Sequence, residues 1–228
     1  MTEPLTRQAI SEFVDPLGWR LILGVVVTHV PVPTLAAAVD ALRVVVAAGS
    51  PGVDEHLRAE VHPDRLVLHL RHAAAGWITP RDVELAAAVT EALAGHGLST
   101  QPGVGGVTPQ TLEIAIDALD IASITPFWRA VTGYVDDATP DGETPGGDLL
   151  DPLRRGPAIW FQQMDEPRTQ RNRIHLDLDV PPELARPRVD AALAAGGTLV
   201  SDAAAPAFWV LADPEGNEVC VCTWQGRD

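Results

Sequence analysis

His175, Asp177 and Asp179 stand at alternate positions between Ile174, Leu176, Leu178 and Val180. In a strand that spacing puts the imidazole and both carboxylates on one face and the aliphatic side chains on the other. With one face apolar, the His175/Asp177/Asp179 face reads as an inner, ligand-facing surface. Cys220 and Cys222 repeat the two-residue spacing. A bridge between such neighbours in a strand is strained, so two reduced, half-buried thiols are expected. Glu218, two before Cys220, reads as a turn residue; buried, it would become a base with a raised pKa. Trp160 with Gln162, and Phe208, could hold a planar organic molecule by stacking and edge contacts. Trp128, in a helical segment, reads equally well as core. Nearer the N-terminus, His56, His62, His69 and His72 gather around one hairpin pattern. Imidazoles take and give protons near neutral pH. His69 and Arg71 alternate with Leu68 and Leu70, which points to a solvated face. His56 is expected to be exposed at a strand edge, and Asp82 to be the acid of a helix first turn.

The composition excludes several classes of function. All sixteen basic residues are Arg, so lysine Schiff-base and general-base chemistry are ruled out. The formal net charge of −15 makes nucleic acid a poor partner. No apolar stretch approaches the roughly 20 residues of a membrane span. Met1–Asp15 lacks a basic segment followed by an apolar one, so no secretory signal is expected. With reduced cysteines, this predicts a cytoplasmic protein.

The elements that must position these residues form two modules, about 1–98 and 109–228, split by the turn-rich stretch after Gly97. The fold class is α+β. The first module is a small antiparallel sheet with helices. Pro4–Phe13 reads as a helix capped by Thr2 or Thr6. Gly18–Val32 reads as one long strand or a tight pair. Pro33–Ala48 shows helical spacing at Leu35, Val39, Leu42 and Val46. Then come a hairpin, His56–Leu70, and a helix from Thr79-Pro80-Arg81-Asp82 to His96. The second module repeats itself. Glu113 and His175 fall at equivalent positions 62 residues apart, as do Asp151-Pro152 and Asp213-Pro214. Gly133 and Gly196 each close a helical segment. The halves read as strand, helix, short strands: Thr111–Asp117, Thr125–Thr132, Gly147–Leu150 and Ala158–Met164, then Arg173–Val180, Pro182–Ala195, Leu199–Asp202, Ala207–Leu211 and Glu218–Trp224. A half cannot bury its apolar face alone, so the two should pack together.

The second module resembles the vicinal oxygen chelate superfamily, in its glyoxalase-like branch. The resemblance rests on Pro126-Phe127-Trp128, Gly133-Tyr134, Ile159-Trp160-Phe161-Gln162, Asn172-Arg173-Ile174-His175-Leu176-Asp177 and Asp213-Pro214-Glu215-Gly216-Asn217-Glu218-Val219-Cys220. It implies paired βαβββ units whose curved sheets enclose a cavity. It also implies metal ligands on first and last strands, at Glu113, His175 and Cys220, with Gln162 as the first-half match of Cys220. Cys220 stands where the superfamily usually has Glu. That argues against an oxygen-ligand site for Mg or Mn and leaves zinc as the divalent ion to expect if any binds.

The first module resembles pterin-4a-carbinolamine dehydratase. The resemblance rests on Gly18-Trp19-Arg20-Leu21, the hairpin, and Thr79-Pro80-Arg81-Asp82-Val83-Glu84-Leu85-Ala86. The family's His-His-Pro falls on Glu55-His56-Leu57 and its third His on Ala73, one residue beyond His72. A one-residue slip in an extended segment reverses side-chain direction, so His72 is no ready substitute. Only His56 and Asp82 match the implied catalytic set, and little carbinolamine dehydration is expected.

Together these readings give a small-molecule binding protein. Its cavity is expected to hold an aromatic or heterocyclic ligand against Glu113, Trp160, Gln162, His175, Asp177, Phe208 and Cys220. No cofactor and no catalytic metal is expected, and a second copy of the chain is the one protein partner considered. The alternative is a lyase: either the 4a-hydroxytetrahydrobiopterin dehydratase, through His56 and Asp82, or a glyoxalase-type lyase or isomerase.

Overall fold

The computed structural model describes residues 5–106, 108–137, 147–167 and 174–226. Thr2, Pro4, Asn172 and Arg173 lie outside these described residues. The chain divides into two compact units, Met1–Thr111 and Leu112–Asp137 with Thr144–Asp228.

In the first unit, α1 (Arg7–Val14) starts at Thr6, whose hydroxyl accepts the Ala9 N–H. The Val-rich stretch forms a tight pair, β1 (Arg20–Ile22) and β2 (Val25–Pro31). Leu23 and Gly24 join them with φ of 44° and 69°, the positive values a two-residue hairpin turn needs. The unit continues with α2 (Leu35–Gly49), β3 (Leu57–Val61), β4 (Arg65–Leu70) and α3 (Pro80–Gly95). The antiparallel sheet runs β1-β2-β4-β3. Leu66, Leu68 and Leu70 of β4 share one core with Trp19, Leu85, Val89 and Leu93. Gly18 has φ 81°, and a Cβ there would lie 2.3 Å from the Thr100 carbonyl oxygen. That close approach seats Trp19, whose Nε1 donates to Thr90 Oγ1 at 2.9 Å.

Helical spacing turns Leu35, Val39, Leu42 and Val46 inward; of these the structure packs only Leu42 against the core. Ala38, Ala41, Val45 and Gly49 are buried, while Leu35, Val39 and Val46 are 52%, 39% and 41% exposed. α2 packs directly on α3. A Cβ on Gly49 would sit 2.6 Å from Val53 Cγ2 and 3.3 Å from Leu85 Cδ2. Only the small-residue face lets the helices come that close.

The second unit contains β5 (Glu113–Ala118), α4 (Ile121–Thr132), β6 (Val135–Asp136), β7 (Leu149–Leu150) and β8 (Ala158–Gln163). It then repeats the order as β9 (Asp177–Asp179), α5 (Pro182–Ala194), β10 (Thr198–Ser201), β11 (Phe208–Ala212) and β12 (Glu218–Cys222). The sheets run β5-β8-β7-β6 and β9-β12-β11-β10, each with its first strand parallel to its last. The internal repeat is therefore topological as well as sequential. Gly133 and Gly196 leave their helices at φ 74° and 97°. Asp151 accepts the N–H groups two and four residues on, Leu153 and Arg155, each at 2.9 Å. Asp213 does the same with Glu215 and Asn217, also at 2.9 Å. α4 begins at Asp120, ahead of Thr125, and carries Pro126 inside it. The halves share one core: Ile116, Phe127, Trp128 and Phe161 pack with Ala185, Val189, Leu211 and Val221. Trp128 is core.

Candidate functional site

Two places in the molecule gather chemistry-bearing side chains. The first lies where β3 begins, β4 has ended and α3 starts. Asp82 closes the capping box of α3: its Oδ2 accepts the backbone N–H and the hydroxyl of Thr79, both at 2.7 Å. Its Oδ1 lies 2.8 Å from Nδ1 of His56, and both side chains are buried. His56 is thus not the exposed strand-edge residue the sequence predicts, and Asp82 is more than a first-turn acid. The expectation for His72 also fails. Alternation governs a side chain only within a strand, and β4 stops at Leu70. Arg71 N–H donates to the His56 carbonyl at 3.0 Å and Ala73 N–H to the Glu55 carbonyl at 2.7 Å. These bonds bring the His72 ring edge-on to His56, with centroids 4.7 Å apart. Glu55 lies beside them, with Oε2 3.9 Å from His72 Nε2.

His69 is not on a solvated face. Its side chain is only 15% exposed, with Nε2 3.0 Å from Glu60 Oε1. Burial, helped by the Arg58 charge and opposed by Glu60, holds the imidazole down at about 4.

The second place is the sheet face of the second unit that turns away from the shared core. In the first half, β5 and β8 align Glu113 with Ala158, Ala115 with Trp160 and Asp117 with Gln162. In the second half, Asp177 pairs with Cys220 and Asp179 with Cys222, and Phe208 lies opposite Cys222. Asp177 and Asp179 are exposed and Leu178 is half-buried, as the alternation predicts. Glu113, Gln162 and His175 are exposed, Trp160 is half-buried and Phe208 is 37% exposed. Placing Gln162 as the match of Cys220 is corrected by the register. Asp117 and Asp179 keep the 62-residue offset, so their strand partners Gln162 and Cys222 correspond, and Trp160 corresponds to Cys220.

The residues of the Asp-Pro-Glu-Gly-Asn turn are engaged elsewhere. Asp213 accepts the buried Trp128 Nε1–H at 2.9 Å and the Asn217 side-chain amide at 2.9 Å. Glu215 takes the N–H groups of Leu119 and Asp120 at 2.8 and 2.7 Å. It thereby puts a carboxylate at the N-terminus of α4.

Residues 113–222 match the family model of the glyoxalase-like domain. The second unit carries a glyoxalase-like domain. Solved structures similar to the chain include a glyoxalase/bleomycin resistance protein/dioxygenase family enzyme from Burkholderia phytofirmans, at 21% identity and TM-score 0.37, covering 49% of this chain and 95% of that one. A fosfomycin resistance protein from Mesorhizobium loti is 11% identical at TM-score 0.41, covering 53% and 96%. Another from Listeria monocytogenes, complexed with Mn(II) and 1S,2S-dihydroxypropylphosphonic acid, is 12% identical at TM-score 0.39, covering 52% and 90%. No curated protein matches the chain.

In the glyoxalase-like unit, the inferred ligand positions do not fit a divalent metal. Cys220 is buried, and its thiol is hydrogen-bonded to Asp177. Burial first, then that bond and the charge of Asp177, push the thiol up to about 11. A metal bound there would have to displace the proton of this hydrogen-bonded thiol. Glu113, His175 and Cys220 do not come together. Among the described residues, the one group of three His, Cys, Asp or Glu donors within 4.8 Å of one another is Glu55, His56 and His72, in the other unit.

Proposed function

We propose that the glyoxalase-like unit is a small-molecule binding module. Its two βαβββ halves close a curved cavity. An aromatic or heterocyclic ligand lies against Trp160 and Phe208, with hydrogen bonds from Gln162, His175, Asp177 and Glu113. No metal bridges Glu113, His175 and Cys220. The observation that carries the reading is the contrast between the two faces of these sheets. One is packed into the shared core, while the other leaves Glu113, Gln162 and Asp177 exposed and Trp160 and Phe208 part-exposed, beside the buried Cys220. Apolar walls with a few placed polar groups are what small-ligand sites use. The test is tryptophan fluorescence titration of the purified chain with a panel of aromatic and heterocyclic compounds. Saturable binding weakened about tenfold or more in Trp160→Leu and in His175→Ala is expected. Binding untouched by both substitutions would reject the face.

A second reading is favoured by the 2.8 Å contact of His56 with Asp82. The first unit would be a dehydratase of carbinolamines, with Asp82 orienting His56 as its acid–base group. Turnover of a pterin carbinolamine that is lost in His56→Ala supports it. Absence of turnover removes it and leaves the binding module standing.

A further inference from the structure

We infer that Glu55, His56 and His72 form a binding site for a divalent ion of the zinc type, with His56 oriented by Asp82 and a fourth coordination position left open. One donor atom from each of the three lies within 4.8 Å of the others. His, His and carboxylate are ligands that zinc takes. Backbone bonds fix the segments that carry them. Glu55 ends a single helical turn, Val53–Glu55, which the His56 N–H closes onto the Val53 carbonyl at 3.0 Å. The Arg71 and Ala73 N–H groups then donate to the His56 and Glu55 carbonyls, at 3.0 and 2.7 Å. The chain entering β3 is thus tied to the chain leaving β4, and the two rings meet edge-on at 82°.

Asp82 prepares His56 for a metal. It is an acceptor, already taking two bonds from Thr79, so Nδ1 of His56 carries the proton and Nε2 keeps its lone pair. A carboxylate on the far nitrogen is the support that metal-binding imidazoles use: it fixes the tautomer and makes the metal-facing nitrogen more basic. Capping α3 needs Asp82 only toward Thr79; its other oxygen is spent on a buried imidazole. Glu55 supplies charge from an exposed side chain, with Oε2 3.9 Å from His72 Nε2. Ligand atoms on tetrahedral zinc stand about 3.3 Å apart, given bonds of about 2.0–2.1 Å, so a small rotation of Glu55 closes the set. The ion brings positive charge to a chain of net charge −15.

His72 must adjust. Its Nδ1 accepts the Ala75 N–H at 3.0 Å, so without metal Nε2 holds the proton. An ion on Nε2 moves that proton to Nδ1, and the bond to Ala75 is lost. Ala75 is half-buried, so water can take its N–H. Losing one such bond weakens binding about fivefold, a small effect beside an imidazole–zinc bond. The Gly76 N–H still closes the turn onto the His72 carbonyl at 2.9 Å. Metal binding is therefore coupled to a tautomer change at His72 and a released amide at Ala75, while His56 keeps its form. Three protein ligands leave zinc a position for water or a ligand oxygen. This inference rests on neither reading above; an ion on His56 Nε2 would occupy the nitrogen that the dehydratase reading needs.

The test is calorimetric titration of the full, chelator-treated chain with Zn(II) near neutral pH, joined to long-range proton–nitrogen spectra of the same 15N-labelled protein. One equivalent should bind. Affinity should fall about 100-fold or more in His72→Ala and about tenfold in Glu55→Gln. It should stay within about twofold in His96→Gln, which changes an exposed histidine outside the cluster. On binding, His72 should pass from its Nε2–H to its Nδ1–H form, the Ala75 amide should shift and exchange faster, and His56 should remain Nδ1–H. If His72→Ala does not fold, Glu55→Gln, at an exposed side chain, carries the comparison. No stoichiometric binding, binding that survives both substitutions, or bound zinc with His72 still in its Nε2–H form overturns the inference. Zinc lost in His175→Ala and kept in His72→Ala overturns it too, because the ion then sits in the glyoxalase-like unit.

Discussion

In the first unit, four side chains from three chain segments meet in a small volume. Glu55 and His56 precede β3, His72 follows β4 and Asp82 opens α3. In the glyoxalase-like unit, Glu113, Gln162 and His175 are exposed while Cys220 is buried and His175 precedes β9, and the most specific motif serves as a fastener. Asp213 holds Trp128 of the first half, and Glu215 caps α4. The matched motif thus holds the scaffold, and the tightest constellation of acid–base groups lies in the other unit, at Glu55, His56, His72 and Asp82. A scaffold shared with a family says little about chemistry, because chemistry lives in the site.

The largest test of that contrast is Asp213→Ala. It leaves the buried Trp128 N–H without its acceptor and removes the turn's own bonds, which should cost on the order of 3 kcal/mol or more. Urea unfolding should show the loss. The His56 and His72 resonances of the first unit should not move before the transition. A change below about 1 kcal/mol would mean that the motif does not fasten the halves.

Next in size is a pH effect from His69. Its ordinary value is 6.5 and its folded value about 4, so between them the unfolded chain binds more protons. Stability present above 6.5 is therefore lost as pH falls toward 4, by on the order of 3 kcal/mol at most. Urea midpoints of the wild type and His69→Asn, compared at about pH 7 and 4.5, isolate this share. Equal slopes would mean that His69 titrates as if solvated.

The smallest effect concerns the face of α2. Val39→Ser should change stability by less than about 0.5 kcal/mol. Ala41→Leu should cost about 1–3 kcal/mol by overpacking against α3. The reverse order would restore the face that helical spacing alone suggests.

Most strands were legible because alternation is local: β4, β9 and β12 follow their apolar periods. The repeat was legible through Asp151, Asp213 and the two helix-closing glycines. What failed depends on distance between elements. The choice between the leucine–valine and alanine faces of α2 is made by how near α3 lies. His72 meets His56 through backbone bonds across a strand end, where alternation has ceased. The pairing of His56 with Asp82, 26 residues apart, depends on the packed start of α3 and has no local signal in the sequence. Gln162 was misplaced because the first strands of the halves are offset by 62 residues and the last strands by 60, which only the register reveals.

The central claim, a glyoxalase-like unit that binds its ligand without a metal on Glu113, His175 and Cys220, is tested most directly by calorimetric titration of chelator-treated protein with Mn(II) and with Zn(II). The wild type and His175→Ala should give the same trace, with no one-equivalent binding that depends on His175. Stoichiometric binding in the wild type that disappears in both His175→Ala and Cys220→Ala would contradict it.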